Sequence, residues 1–359
     1  MILRTLSLQH FRNYTTAAFQ FDPRLTVVVG PNAVGKTNFV ESLVFSFTGK
    51  SFKSEKDGQV ILFGKPFGRI KAIIEGEDTD SKTLEMLFTD RTGSAVQKKY
   101  LVNSIPRRRV DFASHLPVVL FTPETLDLVS GQPSMRRNFL NEILEQIDTA
   151  YTNALTTYTK ALRQRNALLE QAREQGYRDE ERFAYWDTLL IKTGNYITKK
   201  REELITQINK QEKKLFPFTL EYDKSSISVE RLAQYKHAEI GSGVTLVGPH
   251  RDEVFIQMEH PVSGKREQVR SVASRGQQRL VTLELKFAQI TLIAEALGKQ
   301  PLLLLDDIFS ELDSGHIQHV LTVMDQCQTV LTTTHKEFLS TLSLGEGSVI
   351  ELKNDYAAI

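Results

Sequence analysis

Four leucines at positions 302–305 run straight into Asp306 and Asp307. A short, wholly apolar run is the pattern of a strand buried on both faces, as in a parallel sheet covered by helices. A carboxylate at the tip of such a strand is costly unless a metal ion or a chemical task compensates it. The chain is therefore expected to be an α/β protein with a working site at the carboxyl ends of its strands.

The partner for that acidic tip lies near the start of the chain. Gly30, Pro31, Asn32, Ala33, Val34, Gly35, Lys36 and Thr37 fit the phosphate-loop pattern GxxxxGK[ST]. Residues 25–29, LTVVV, predict a buried strand before it, and Phe39, Val40, Leu43, Val44 and Phe47 recur at helical spacing after it. Strand, glycine loop and helix together aim backbone N–H groups and a helix N-terminus at an anion. Lys36 would neutralise the β- and γ-phosphates of ATP and the Thr37 hydroxyl would ligate Mg²⁺. In such ATPases the acidic strand end holds the same metal and aligns the attacking water. Asp306 is the expected metal partner.

Lys36 and Asp306 stand near opposite ends of 359 residues, far more chain than a compact nucleotide-binding core needs between them. The middle supplies the reason. From about Ser134 to Phe216 the pattern is polar and helical: one helix through Phe139, Ile143, Leu144 and Ile147, a second through Leu155, Tyr158, Leu162 and Leu169, and a long third through Phe183 to Ile208. Gly176 breaks between the last two, and Asp179 suits the N-cap of the third. The expected organisation is a discontinuous ATPase lobe from 1–125 and 217–359, interrupted by a helical lobe at 126–216. Net charge is +1, so any nucleic-acid surface must be a local patch. One cysteine, Cys327, excludes an intrachain disulfide and suits a cytoplasmic chain. No stretch approaches the ~18 apolar residues of a membrane span.

Ser274, Arg275, Gly276, Gln277 and Gln278 open an amphipathic helix shortly before the acidic strand. Alone this is a helix cap; in this order it resembles the signature motif of ABC-type ATPases. That resemblance implies that Ser274, Gly276 and Gln277 contact ATP held by a second copy, in a head-to-tail homodimer. By the same likeness, residues 310–313, SELD, resemble the D-loop, and His335 resembles the histidine that senses the γ-phosphate. Asp307 stands where most such ATPases carry glutamate; its shorter side chain predicts slow hydrolysis, fit for a switch.

The whole chain is similar to the RecF family of bacterial DNA replication and repair proteins, relatives of SMC heads. The segments that carry this are residues 6–14, LSLQHFRNY; Asn38 after the phosphate loop; FTPE at 121–124; LVSGQP and RRNFL up to Leu140; GPHRD at 248–252; and the Gln277–Gln278 and Asp306–Asp307 doublets. Ala33 departs from a usual glycine and Glu253 from a usual aspartate. The resemblance implies a P-loop NTPase of ABC/SMC-head type with an inserted helical lobe, with Arg12 and Asn38 also at the nucleotide. It implies an ATP-driven clamp on gapped DNA, partnered by RecR and RecO, that supports RecA loading and SOS induction.

The densest basic cluster is Lys98, Lys99, Arg107, Arg108 and Arg109, flanking a hairpin turn at Val102, Asn103, Ser104 and Ile105. It is a candidate DNA contact or a charged sheet edge. Arg136, Arg137, Lys199, Lys200 and Arg201 read mainly as solvated helix faces. Two other readings share the ATPase motifs: the nucleotide-binding subunit of a transporter, and an SMC-like structural ATPase. The inserted helices, at ~35 residues and roughly 50 Å, make a lobe and not a long arm.

Overall fold

The computed structural model describes the chain except for residues 54–56, 77–79, 91–95, 261–262, 313, 335–347 and 354–359. The chain opens with β1 (Ile2–Phe11), β2 (Tyr14–Gln20) and β3 (Leu25–Val29), then α1 (Lys36–Thr48). Four strands follow: β4 (Phe67–Glu75), β5 (Ser81–Asp90), β6 (Val96–Val102) and β7 (Ile105–Arg107). Then come α2 (Arg109–Ala113), β8 (Val118–Phe121), α3 (Pro133–Ile147), α4 (Thr149–Gln175) and α5 (Glu180–Lys210). After β9 (Thr219–Asp223) and α6 (Val229–Ser242) lie β10 (Glu253–Glu259), β11 (Arg266–Gln268), α7 (Val269–Val272) and α8 (Arg275–Leu297). The last described elements are β12 (Leu302–Asp306), α9 (Ser314–Met324), β13 (Thr329–Thr333) and β14 (Ser348–Glu351).

The chain divides into two compact units, 1–126 with 289–359, and 127–288. The first holds two sheets. One is parallel, in the order β14-β3-β13-β12-β8. β12 is four leucines before its aspartate, β13 mixes valine and leucine with threonine, and every residue of both is buried, as strands covered on both faces should be. The other sheet is antiparallel, in the order β2-β1-β4-β5-β6-β7. Its strands alternate buried and exposed positions, as in β4 and β5. α1 packs against strands of both sheets, so it is buried almost all round and lacks a strongly polar face. Phe39, Leu43, Phe45 and Phe47 of α1 join Phe11, Tyr14 and Phe88 in the core of this unit. Register sets Asp306 opposite Thr332, and Thr333 opposite Val29, so β12, β13 and β3 end level.

The second unit carries α3, α4 and α5, each close to its expected place. Gly176 ends α4 in a left-handed conformation, and the Asp179 carboxylate caps α5 by accepting from the Arg182 N–H. The expected return to the first lobe at 217 differs from this division, which falls between Ala288 and Gln289. β9, β10 and β11 form a small antiparallel sheet with neighbours in the second unit, β9 against α5 and β10 against α3. Short strands look alike whichever sheet they join, and the partner is a long-range choice. Ser274, Gly276 and Gln277 therefore belong to the 127–288 unit.

Candidate nucleotide-binding site

Residues 30–35 connect the carboxyl end of β3 to the N-terminus of α1. The loop needs left-handed backbone at two points, Ala33 (φ 65°) and Gly35 (φ 110°). Such reversals turn successive N–H groups to one side and make an anion-binding concavity. At Gly35 a Cβ would also stand 2.6 Å from Asn13 Nδ2, so glycine is required twice over. At Ala33 the unusual alanine accepts a conformation that costs an L-residue about 1 kcal/mol. Pro31, Asn32 and Ala33 are exposed at the loop's crest. Lys36, at the first turn of α1, is buried and donates from Nζ to the carbonyls of Gly30 (2.8 Å) and Pro31 (3.0 Å). Burial lowers its pKa, partly offset by the carboxylates of Asp307 and Asp306.

Asp306, on the neighbouring strand but one, is 3% exposed. Burial raises its pKa; hydrogen bonds from the Thr332 and Thr37 hydroxyls oppose that, and the charge of Asp307 adds to it. The Thr332 bond is 2.6 Å. Thr37 and Asp306 thus present a hydroxyl and a carboxylate side by side. This is a hard oxygen set that fits Mg²⁺, which takes one or two protein oxygens and fills the rest of its shell from phosphates and water. Asp307 sits in the left-handed region (φ 52°), with its N–H held by the carbonyl and hydroxyl of Thr332. Aspartate tolerates that region better than most residues. Its carbonyl accepts from Ser310 Oγ at 2.7 Å in the expected D-loop. His335 and Asp313 lie outside the described residues.

Asn13 and Tyr14, to which motif reading gave no role, brace the loop. Phe11 pairs with Tyr14 across a two-residue turn formed by Arg12 and Asn13. Asn13 Nδ2 donates to the Val34 carbonyl and Asn13 Oδ1 accepts from Asn38 at 2.8 Å. The Tyr14 hydroxyl donates to the Gly35 carbonyl at 3.0 Å. Arg12, expected at the nucleotide, forms a two-bond ion pair with Glu41, which is fully buried in α1, and donates to the Gln59 carbonyl. Asn38 also accepts from Lys53, whose charge reaches Asp306. The only sequence signal for this brace was the F-R-N-Y spelling itself.

Ser274 and Gln277 form a reciprocal cap on α8. The Ser274 N–H donates to Gln277 Oε1 (2.8 Å) and the Gln277 N–H to Ser274 Oγ (3.3 Å). Ser274 and Arg275 are exposed, and Gly276 follows in the first helical turn.

The basic hairpin exists, with Asn103 and Ser104 both at positive φ as a tight two-residue turn demands. Its cations are not equivalent, which corrects the expectation of one patch. Lys98 donates to the Gly49 carbonyl (2.9 Å) and lies over the Phe45 ring; Arg109 donates to the Thr48 carbonyl (3.1 Å). Both satisfy the C-terminal end of α1. Arg108 pairs with Asp111, while Lys99 and Arg107 are exposed. Arg136 and Arg201 are buried and matched to Glu253 and Asp252, so neither is a solvated helix face.

Comparison with known proteins adds relatives. The family model described as RecF/RecN/SMC N terminal domain matches residues 2–348. A protein of Cyanothece sp. named DNA replication and repair protein RecF is 35% identical, over 98% of this chain and 96% of its own length. One of the same name from Shouchella clausii is 36% identical, with 98% of each chain covered. A solved structure titled as the recombination mediator protein RecF-ATPrS in the RecFOR pathway superposes with a TM-score of 0.84 at 25% identity, covering 98% of this chain and 96% of its own. An SMC head bound to the C-winged helix domain of ScpA shares the fold, at a TM-score of 0.51 and 14% identity.

Proposed function

Because the chain belongs to the RecF family of DNA replication and repair proteins, we propose that it is an ATP-operated clamp whose homodimer closes on gapped DNA and opens on slow hydrolysis. The observation that carries this reading is the convergence at the level strand ends: Lys36 and Thr37 at the start of α1, Asp306 hydrogen-bonded to Thr37, and Asp307 beside it. Residues 30–38 would cradle the phosphates of ATP, with Lys36 exchanging its loop carbonyls for β- and γ-phosphate oxygens. Thr37 and Asp306 would hold Mg²⁺, which supplies neutralisation of the phosphate oxygens. Asp307 would align water, one methylene short of a glutamate, and His335 would sense the γ-phosphate. Arg12, paired with Glu41, would set the loop's position and reach the nucleotide only by leaving that pair.

Ser274, Gly276 and Gln277 would meet the ATP of the partner copy. The exposure of Ser274 supports this, since a cap turned to water is open to a second molecule. At the basic hairpin, Lys99, Arg107 and Arg108 remain as DNA contacts, of the phosphate-binding kind that falls steeply with salt. RecR and RecO would be its mediator partners in RecA loading and SOS induction; the likeness to a recombination mediator of the RecFOR pathway supports that assignment. Among the described residues no helix is long and apolar enough to cross a membrane, and we place the chain in the cytoplasm.

Sedimentation with and without ATP tests the clamp. The native chain is expected to dimerise with ATP, and Ser274→Arg to stay monomeric while still binding nucleotide. A native chain that remains monomeric at saturating ATP and DNA defeats the reading, as does turnover well above ~10 s⁻¹.

A further inference from the structure

The 127–288 unit holds an open cleft of about 260 Å³ that no part of the ATPase reading uses. One wall is a face of α3: Ser134, Arg137, Asn138 and Asn141, at helical spacing. The opposing wall from α4 and α5 carries Leu155, Leu162 and Ile197 beside Thr159 and Arg201. His250 and Tyr158 close one end as a neutral pair. The Tyr158 hydroxyl bonds His250 Nδ1 at 2.6 Å, and Nε2 faces the Thr245 carbonyl, so Nε2 carries the proton and Nδ1 accepts.

Charge is unevenly matched here. Arg201 is paired with Asp252, and Arg136 with Glu253. Arg137, the other guanidinium that lines the cleft, donates to the Asp252 carbonyl, a neutral acceptor, and makes no ion pair among the described residues. It is half-buried, and burial together with the nearby Arg201 charge disfavours its cation, with Glu253 and Asp252 offsetting part of this. A half-buried cation without its own carboxylate, flanked by two side-chain amides and a hydroxyl, is a place where an anion lowers the energy. The volume lies below the ~300 Å³ floor of drug-sized pockets, so the occupant is small.

We propose that this cleft binds a small oxyanion that carries a compact apolar body: the head on Arg137, Asn138 and Asn141, the body against Leu155, Leu162 and Ile197. Phenyl phosphate is the probe with both parts; inorganic phosphate has the head alone and benzyl alcohol the body alone. Calorimetric titration of the full chain with Lys36→Ala removes binding at the phosphate loop from the signal. Phenyl phosphate is expected to bind native and Lys36→Ala chains alike, with either half-probe at least about tenfold weaker. Arg137→Gln should weaken phenyl phosphate at least about tenfold, the worth of a charge-assisted hydrogen bond. Thr159→Trp, at an exposed position on the rim, should block it while leaving Arg137 and its bond in place. The proposal falls if phenyl phosphate gives no binding at millimolar concentration, if its binding vanishes with Lys36→Ala, or if both Arg137→Gln and Thr159→Trp bind it as the native chain does.

Discussion

In the unit built from both ends of the chain, Lys36 and Asp306 are buried with their charged forms disfavoured. In the 127–288 unit, Arg165 and Arg201 are buried just as deeply, yet Arg165 meets Glu239 at 2.7 Å and Asp187 at 2.6 Å, and Arg201 meets Asp252 at 2.9 Å. The second arrangement is closed: Thr245, Asn141 and Tyr151 take up further guanidinium N–H groups, and Tyr222 hydrogen-bonds Asp252. The first leaves charge held against its preference at the mouth of a phosphate loop. Matched burial organises a fold, whereas mismatched burial stores an affinity for a ligand that would complete it.

The widest difference should come from breaking a matched set. Arg165→Met leaves Glu239, fully buried, without its cation, and should cost about 3–5 kcal/mol in urea denaturation. A loss under about 1 kcal/mol would mean that matching is not what holds this unit. Next is acid. Burial lowers the His250 pKa to about 4 from an ordinary 6.5. A depressed histidine contributes stability that is whole above 6.5 and drains away as pH falls towards 4, so about 2 kcal/mol should be gone by pH 5. His250→Gln should flatten that acid limb, and denaturation at pH 7 and pH 5 reads it.

The mismatched side predicts the opposite sign. Asp306→Asn should stabilise the nucleotide-free chain by about 1 kcal/mol at pH 7 and abolish the rise in Tm with Mg²⁺ and ATP. A raised carboxylate pKa penalises folding above it, so the gain should shrink as pH falls through that pKa. A clear loss of stability at pH 7 would sink the idea that this charge is held against its preference. The smallest effect is at the far end of α1: Lys98→Ala should cost roughly 0.5–1 kcal/mol, and Lys99→Ala at the exposed neighbouring position almost nothing.

The phosphate loop, the acidic strand and the three long helices were legible because each is a local pattern: a spacing, an apolar run, a 3.6-residue period. What stayed hidden depends on partners far along the chain. Arg136 and Arg201 spell a solvated face until Glu253 and Asp252 arrive from more than fifty positions away. Lys98 and Arg109 read as one basic patch with Arg107, although two of the three are occupied by carbonyls of α1. β10 carries a short apolar run like a core strand, and β9 and β11 are too short and polar to show which unit they join, so the boundary at 217 could not be told from one at 289. Ala33 was marked as unusual, and only its φ says why.

α1 is gripped at both tips by one body. The turn between β1 and β2 holds its start through Asn13 and Tyr14, and β6 with the first residue of α2 holds its finish through Lys98 and Arg109. At thirteen residues it is ~20 Å long. A rod clamped this way works as a strut. The rim of the antiparallel sheet and the phosphate loop are thereby joined through a single helix axis, at its two ends.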